Sequence, residues 1–358
     1  MSSPTSPFPH GMDVEFAMFA REIMRRSPLY ADLCAAIADT SDVLALLDAA
    51  DVAHRRPVQL LAALHYQVLS DPAHPLRSQY PSTGGQPGPD LVPAALAACR
   101  DDADALRHLI AHRNVQTNEV GRSPLIMIGL SHLSPGEPVD LVDLGTSAGL
   151  NLYADRYRTT CVDPDGNTLA TWGGTDPSLS CVIRSAGFQM PQLVTIRGRR
   201  GLDPDPIRSD DHDTLRWLDA CIWPDQSERR DRVRAAIATA QSAPPAIDTA
   251  HLPGGIDATI SAAHTGARTA LVTSWVLAYL APEDRIATIE TFTRAIADDD
   301  AVALLLESPQ ECPDLPWPDS ASGSRRTEML AGRRTPSGHV AWEHLGTAHP
   351  HGIWFLPL

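Results

Sequence analysis

The chain has 358 residues, 43% of them hydrophobic, and a formal charge of −15. That length fits two domains, or one large domain with an elaboration. The acidic balance argues against nucleic acid or an anionic membrane as partner, because neutralising phosphates needs basic surface. All 29 basic residues are arginine, which removes Schiff-base lysine chemistry and the phosphate-binding lysine of a P-loop.

Residues 1–12 read as a short disordered lead-in, since they lack the basic region and apolar core of a signal peptide. From residue 13 to 133 the apolar spacing is helical throughout, with prolines at first-turn positions in PLYADLCAAIADT and PVQLLAALHYQVLS. Between these helices DPAHPLRSQYPSTGGQPGPD reads as a Pro/Gly loop, long enough to act as a lid. His108 and His112 are spaced i,i+4, but no third metal ligand stands at a telling distance. This region is expected to form an all-helical N-terminal domain covering the next one.

A buried strand, Val139 to Leu144, then leads into Gly145-Thr146-Ser147-Ala148-Gly149 and a segment, Leu150 to Tyr157, that reads as helix. Beyond it, turn pairs at Asp165-Gly166 and Gly173-Gly174 predict a β-hairpin insertion around 158–192. A second strand closes near Asp203, and Asp210, Asp211 and Asp213 lie where they would cap a long helix over roughly 212–241. Further strands are expected at AIDTA, at TALVTS and at AVALLLES, with helices near 256–264 and over EDRIATIETFTRAIAD. GHVAWEHLGT and GIWFLPL read as a terminal antiparallel pair. Strands alternating with helices imply a mostly parallel α/β sheet with helices on both faces. The six cysteines (Cys34, Cys99, Cys161, Cys181, Cys221, Cys312) form no C-x-x-C pair, which suits reduced thiols in a cytoplasmic chain. No apolar run reaches transmembrane length.

The small-residue turn admits three readings. An acidic residue, Asp143, closing the strand before a glycine turn suits a class I S-adenosylmethionine site. A dinucleotide site fits poorly, because the spacing is Gly-x-x-x-Gly and not G-x-G-x-x-G. The same five residues also spell G-x-S-x-G, the nucleophile elbow of a serine hydrolase, with Asp314 and a late histidine (His339, His344, His349 or His351) available downstream. An elbow normally follows several strands, whereas this turn follows the first, and Asp143 beside it would oppose a developing oxyanion. The cofactor reading is therefore favoured. Asp203 would meet the ribose diol and Asp248 the adenine edge, each with a plain alternative as a cap or turn aspartate.

The stretches QTNEVGR (116–122), DLGTSAGLNL (143–152), GLDPDP (201–206), RWLDACIWPDQSER (216–229) and SWVLAYL (274–280) together resemble the bacterial family catalogued as DUF2332. The resemblance runs from about residue 16 to the C-terminus. That family is in turn similar to class I S-adenosylmethionine-dependent methyltransferases, with Ser147 where their pattern commonly has glycine. What the resemblance implies is a Rossmann-like domain over 134–358 that binds S-adenosylmethionine and methylates a small molecule. Arg122, Asp143, Gly145, Ser147, Ala148, Gly149, Asn151, Asp203 and Asp248 would hold the cofactor. Asn118, Glu119 and Trp275 would face the substrate, with Ser274, Tyr279 and Glu307 at the chemistry. A serine hydrolase, or a non-catalytic sensor keeping the fold, are the alternatives.

Overall fold

The computed structural model describes residues 11–358. The expected lead-in therefore lies outside the described residues, except that Met12 already opens the first helix. The α-helices are α1 (Met12–Ile23), α2 (Pro28–Ala38), α3 (Ser41–Leu44), α4 (Pro57–Ser70), α5 (Leu91–Asp101), α6 (Ala103–His112), α7 (Ser123–Leu133), α8 (His212–Ala220), α9 (Ser227–Ser242), α10 (Ile256–Ala263) and α11 (Pro282–Asp299). The chain divides into two compact units, residues up to Thr117 with Asp211–Asp231, and Asn118–Asp210 with Arg232–Leu358. The boundary lies earlier than the sequence pattern suggests, because α7 belongs with the sheet, and α8 is returned to the helical unit.

In the helical unit Ser27 caps α2 by accepting the Tyr30 N–H at 3.2 Å, with Pro28 filling the first turn. Phe16, Tyr30, Leu60, Leu64 and Leu106 are fully buried in its core. The Pro/Gly loop is packed, not loose: it forms two 3-10 turns, and Leu76 and Tyr80 are sealed in the core. The long helix expected over 212–241 is broken between Ala220 and Ser227, where Pro224 cannot continue it. Asp211 caps α8 as expected, accepting the N–H groups of Asp213 and Thr214.

The other unit is built on a single eleven-stranded sheet. Its strands are β1 (Pro138–Leu144), β2 (Tyr157–Val162), β3 (Thr168–Trp172), β4 (Thr175–Ile183), β5 (Thr195–Asp203), β6 (Ala246–Thr249), β7 (Arg268–Ser274), β8 (Val302–Glu307), β9 (Thr327–Arg334), β10 (Val340–Ala348) and β11 (Trp354–Pro357). The spatial order is β3-β2-β4-β11-β10-β9-β8-β7-β1-β5-β6. From β8 to β6 all neighbours are parallel, while β9 is antiparallel to β8 and to β10. The expected hairpin insertion is three strands: β2 and β3 pair antiparallel, and β4 joins β11, so the insertion widens the main sheet.

Alternation along the strands sets the two faces. Val142, Leu144, Leu202, Leu271, Ala303 and Leu305 pack with Ile256 of α10 and Phe292 of α11 in one core. Leu304 points the other way and fills the space left by Gly129 of α7, where an added Cβ would stand 2.5 Å from it. Helices thus cover both faces. Among the described residues, no helix is long and apolar enough to cross a membrane.

Candidate functional site

Leaving aside the β2–β4 insertion at the far edge, the chain runs outward from β1 to β5 and β6, then returns to the opposite side of β1 as β7. The reversal places a crevice position beyond the carboxyl ends of β1 and β7, where ligands of open parallel sheets bind. Both strands leave that edge through a strained residue. Ser147 has φ 54° and Trp275 φ 58°, left-handed values that non-glycine residues rarely adopt.

The turn after β1 is held from three sides. Asp203 Oδ2 accepts the Ser147 N–H at 2.7 Å while Oδ1 accepts that of Asp205 at 2.9 Å. Asn118 donates to the Thr146 carbonyl at 2.8 Å and accepts the Leu150 N–H at 3.1 Å. The Thr146 hydroxyl donates to Asp143 Oδ2 at 2.6 Å. The glycines serve close packing: a Cβ on Gly145 would stand 2.4 Å from Val276, and one on Gly149 would stand 2.9 Å from Pro245.

The expected helix from Leu150 to Tyr157 is one 3-10 turn, Leu150–Tyr153, followed at once by β2. Side chains take the carbonyls a helix would use: Tyr157 donates to Leu150 O and Arg199 to Leu152 O, both at 2.7 Å, and Trp172 donates to Ala154 O. The turn therefore lacks the α-helix N-terminus that commonly receives an anion in such a position.

The face opposite α10 and α11 collects the polar groups. Because Val142, Leu144 and Leu202 turn to the apolar core, Asp143 and Asp203 project away from it. Burial pushes the Asp143 carboxyl from 3.8 up to about 7, with the nearby Asp203 charge adding to it and the Thr146 hydroxyl and Arg122 opposing it. Burial raises Asp203 as well, against the two N–H groups it accepts. Arg122, only 6% exposed, donates from Nε to Pro350 O at 2.7 Å and from Nη1 to Ser274 O at 2.9 Å and Ser274 Oγ at 3.1 Å. Glu119 accepts the Gly121 N–H on Oε1 at 3.0 Å, and its Oε2 meets His351 Nδ1 at 2.8 Å. Asn151 accepts the Ser123 hydroxyl at 3.2 Å, tying the turn to the start of α7.

Several expected site residues stand elsewhere or are already engaged. Glu307 shares its strand face with Ala303 and Leu305, so it lies on the α11 side of the sheet. There its Oε1 accepts the N–H groups of Val276 and Leu277, clamping the strained turn after β7. Burial raises its carboxyl from 4.5 to about 7, while those N–H groups and the adjacent Thr273 hydroxyl hold it down. Asp248 is gripped bidentately by Arg200 at 2.6 and 2.7 Å and by Thr259, a structural tie at the end of β6. Tyr279 is 65% exposed. The Trp275 indole donates to Thr327 at 2.9 Å. Ala148 is buried within the turn, and Asp314 pairs with Arg285. His112 bonds the His108 carbonyl, and among the described residues no group of three or more potential metal ligands occurs. The roles of Thr146, Asp205 and Pro350 have no signal in the sequence, and His351 stands there only as one of four late histidines.

A family model described as "Uncharacterized protein conserved in bacteria (DUF2332)" matches residues 14–356. The chain belongs to this family. No curated protein matches the chain, and no solved structure does. The family assignment covers both units of this DUF2332 protein, so the helical unit is part of the family's shared plan.

Proposed function

We propose that the sheet unit of this DUF2332 protein binds S-adenosylmethionine at the turn after β1 and that the protein is a small-molecule methyltransferase. The observation that carries this reading is the convergence of two buried carboxylates, Asp143 and Asp203, on one glycine turn at the sheet's reversal point. Buried carboxyls with raised proton affinity are poor hosts for an anion and good ones for a cation, which repays their desolvation. An adenosyl sulfonium compound offers that positive charge together with a ribose diol.

The donor set fits. Each Asp203 oxygen accepts one N–H in the protein, and a carboxylate oxygen can accept a second hydrogen bond, here from a ribose hydroxyl. Asp143 would face the cationic part, and Asn118, Asn151 and Arg122 fix the turn and the end of β7 around it. When bound, the cofactor supplies an electrophilic methyl group. The parallel run β6-β5-β1-β7-β8, flanked by an antiparallel β9, supports a class I methyltransferase-type arrangement. Titration calorimetry with S-adenosylmethionine, on the wild type and on Asp203→Ala, tests the reading. Saturable binding weakened by the substitution is expected, and no binding by the wild type would refute it.

A second reading makes Ser147 a hydrolytic nucleophile, favoured by its left-handed backbone between Gly145 and Gly149. Against it, the turn leads into no helix, and the carboxylates of Asp143 and Asp203 oppose an oxyanion there. Ser147→Ala separates the two readings: a hydrolase loses turnover on ester substrates, whereas a cofactor site keeps its ligand.

A further inference from the structure

Two histidine–carboxylate pairs stand at the carboxyl edge of the sheet, and they differ in access. His344 and Glu328, 3.0 Å apart, are both shut away, with side chains 7% and 4% exposed. Glu119 is equally buried at 1%, but its partner His351 keeps 26% of its side chain open. A sealed carboxylate behind a reachable imidazole is the arrangement of an oriented base.

The chain goes to some length to hold that ring. Glu119 lies between Asn118, which holds the turn after β1, and Arg122, which holds the end of β7. Its Oε1 is fixed by the Gly121 N–H, which leaves Oε2 aimed at His351. From the other side, Arg122 Nε grips the carbonyl of Pro350, the residue before His351. The two backbones meet where neither can carry a side chain. A Cβ on Gly121 would stand 2.4 Å from the His351 carbonyl oxygen, and one on Gly352 only 1.7 Å from the Gly121 carbonyl oxygen. The His351 N–H is donated to His349 Nδ1 at 3.1 Å, and the two rings lie 5.5 Å apart. Against Glu119 as a carboxylate, which can only accept, the neutral ring would carry its hydrogen on Nδ1 and turn the basic Nε2 outward.

We infer that His351 is the proton-accepting residue of this site and Glu119 its positioning residue. The pair serves a substrate whose reacting atom carries a dissociable hydrogen. In that step the substrate X–H bond breaks, its electron pair stays on X, and the proton forms a bond to Nε2. The resulting imidazolium is held against the Glu119 carboxylate. The identity of the neighbouring ligand rests on the function proposed above, but the proton step does not.

The test uses the full chain, labelled with nitrogen-15 histidine, and site-resolved acylation by diethyl pyrocarbonate. The wild type is expected to show His351 as the Nδ1–H tautomer, and Glu119→Gln to lose that preference while remaining folded. Acylation should reach His351 far faster than His344, by about tenfold or more, and S-adenosylhomocysteine should slow it. A fixed Nε2–H tautomer would overturn the inference. So would acylation of His351 that S-adenosylhomocysteine leaves unchanged while calorimetry shows it bound. If calorimetry shows no binding, the cofactor reading fails instead, and tautomer and acylation rate alone then decide the role of His351.

Discussion

The carboxylate of Asp203, at the end of β5, accepts the backbone N–H of Ser147 at 2.7 Å and so fastens the turn after β1 to the next strand. Its other oxygen holds the Asp205 N–H. Asparagine can accept only one of these, and alanine neither. Asp203→Ala should therefore destabilise the protein by ~2–4 kcal/mol, two unsatisfied buried donors, and Asp203→Asn by about half as much. Urea unfolding measures both, and equal effects would show that the turn does not depend on this carboxylate.

Asp143 gives a pH dependence whose sign is fixed. Its folded value of about 7 lies above its ordinary 3.8, so the native state binds the extra proton between them. Its contribution to stability is complete below the lower value and is lost as pH rises through the upper one. Asp143→Asn should therefore stabilise the protein near pH 8, by on the order of 2–4 kcal/mol at most, and change little near pH 4. Unfolding curves across that range check the trend, and a substitution that destabilises more at high pH would contradict it.

Glu307 titrates upward for the same reason, from 4.5 to about 7, but its Oε1 anchors two backbone donors. Glutamine can keep those bonds and offer its amide to the Thr273 hydroxyl. Glu307→Gln should be neutral or stabilising above neutral pH, whereas Glu307→Ala should lose ~2–3 kcal/mol by freeing the Val276 and Leu277 N–H groups. Thermal melts of the two variants distinguish this clamp from a catalytic carboxylate.

Arg122 bridges Pro350 and Ser274 with different nitrogens of one guanidinium. A lysine ammonium cannot span both, so Arg122→Lys is expected to lose ~2–4 kcal/mol despite keeping the charge. If it unfolds with the wild-type midpoint, the bridge does not hold the segment before His351.

What the sequence made legible follows from how local the signal is. Asp143, Gly145 and Gly149 could be read because a buried run ending in small residues is contiguous, and α10, β7 and β8 carry strong patterns of their own. The 3-10 turn at Leu150–Tyr153 could not, since Arg199 and Tyr157, supplied by distant or later strands, claim its carbonyls. The role of Asp248 depends on Arg200, 48 residues away. The contact between Glu119 and His351 spans 232 residues and has no sequence signature. Strand β9 carries no such signal, because TEMLAGRR lacks clean alternation, even though the turn at Thr335–Gly338 folds it back onto β10.

In the proposed function, a cluster of buried carboxylates at the turn after β1 receives a cationic adenosyl ligand. Calorimetric titration of the full chain with S-adenosylmethionine and S-adenosylhomocysteine, near pH 8 and near pH 6, tests it most directly. Both should bind, and the sulfonium compound should weaken more as Asp143 takes up its proton, a difference that Asp143→Asn abolishes. Absence of saturable binding by either compound, or identical pH behaviour of the two in the wild type, would contradict the claim.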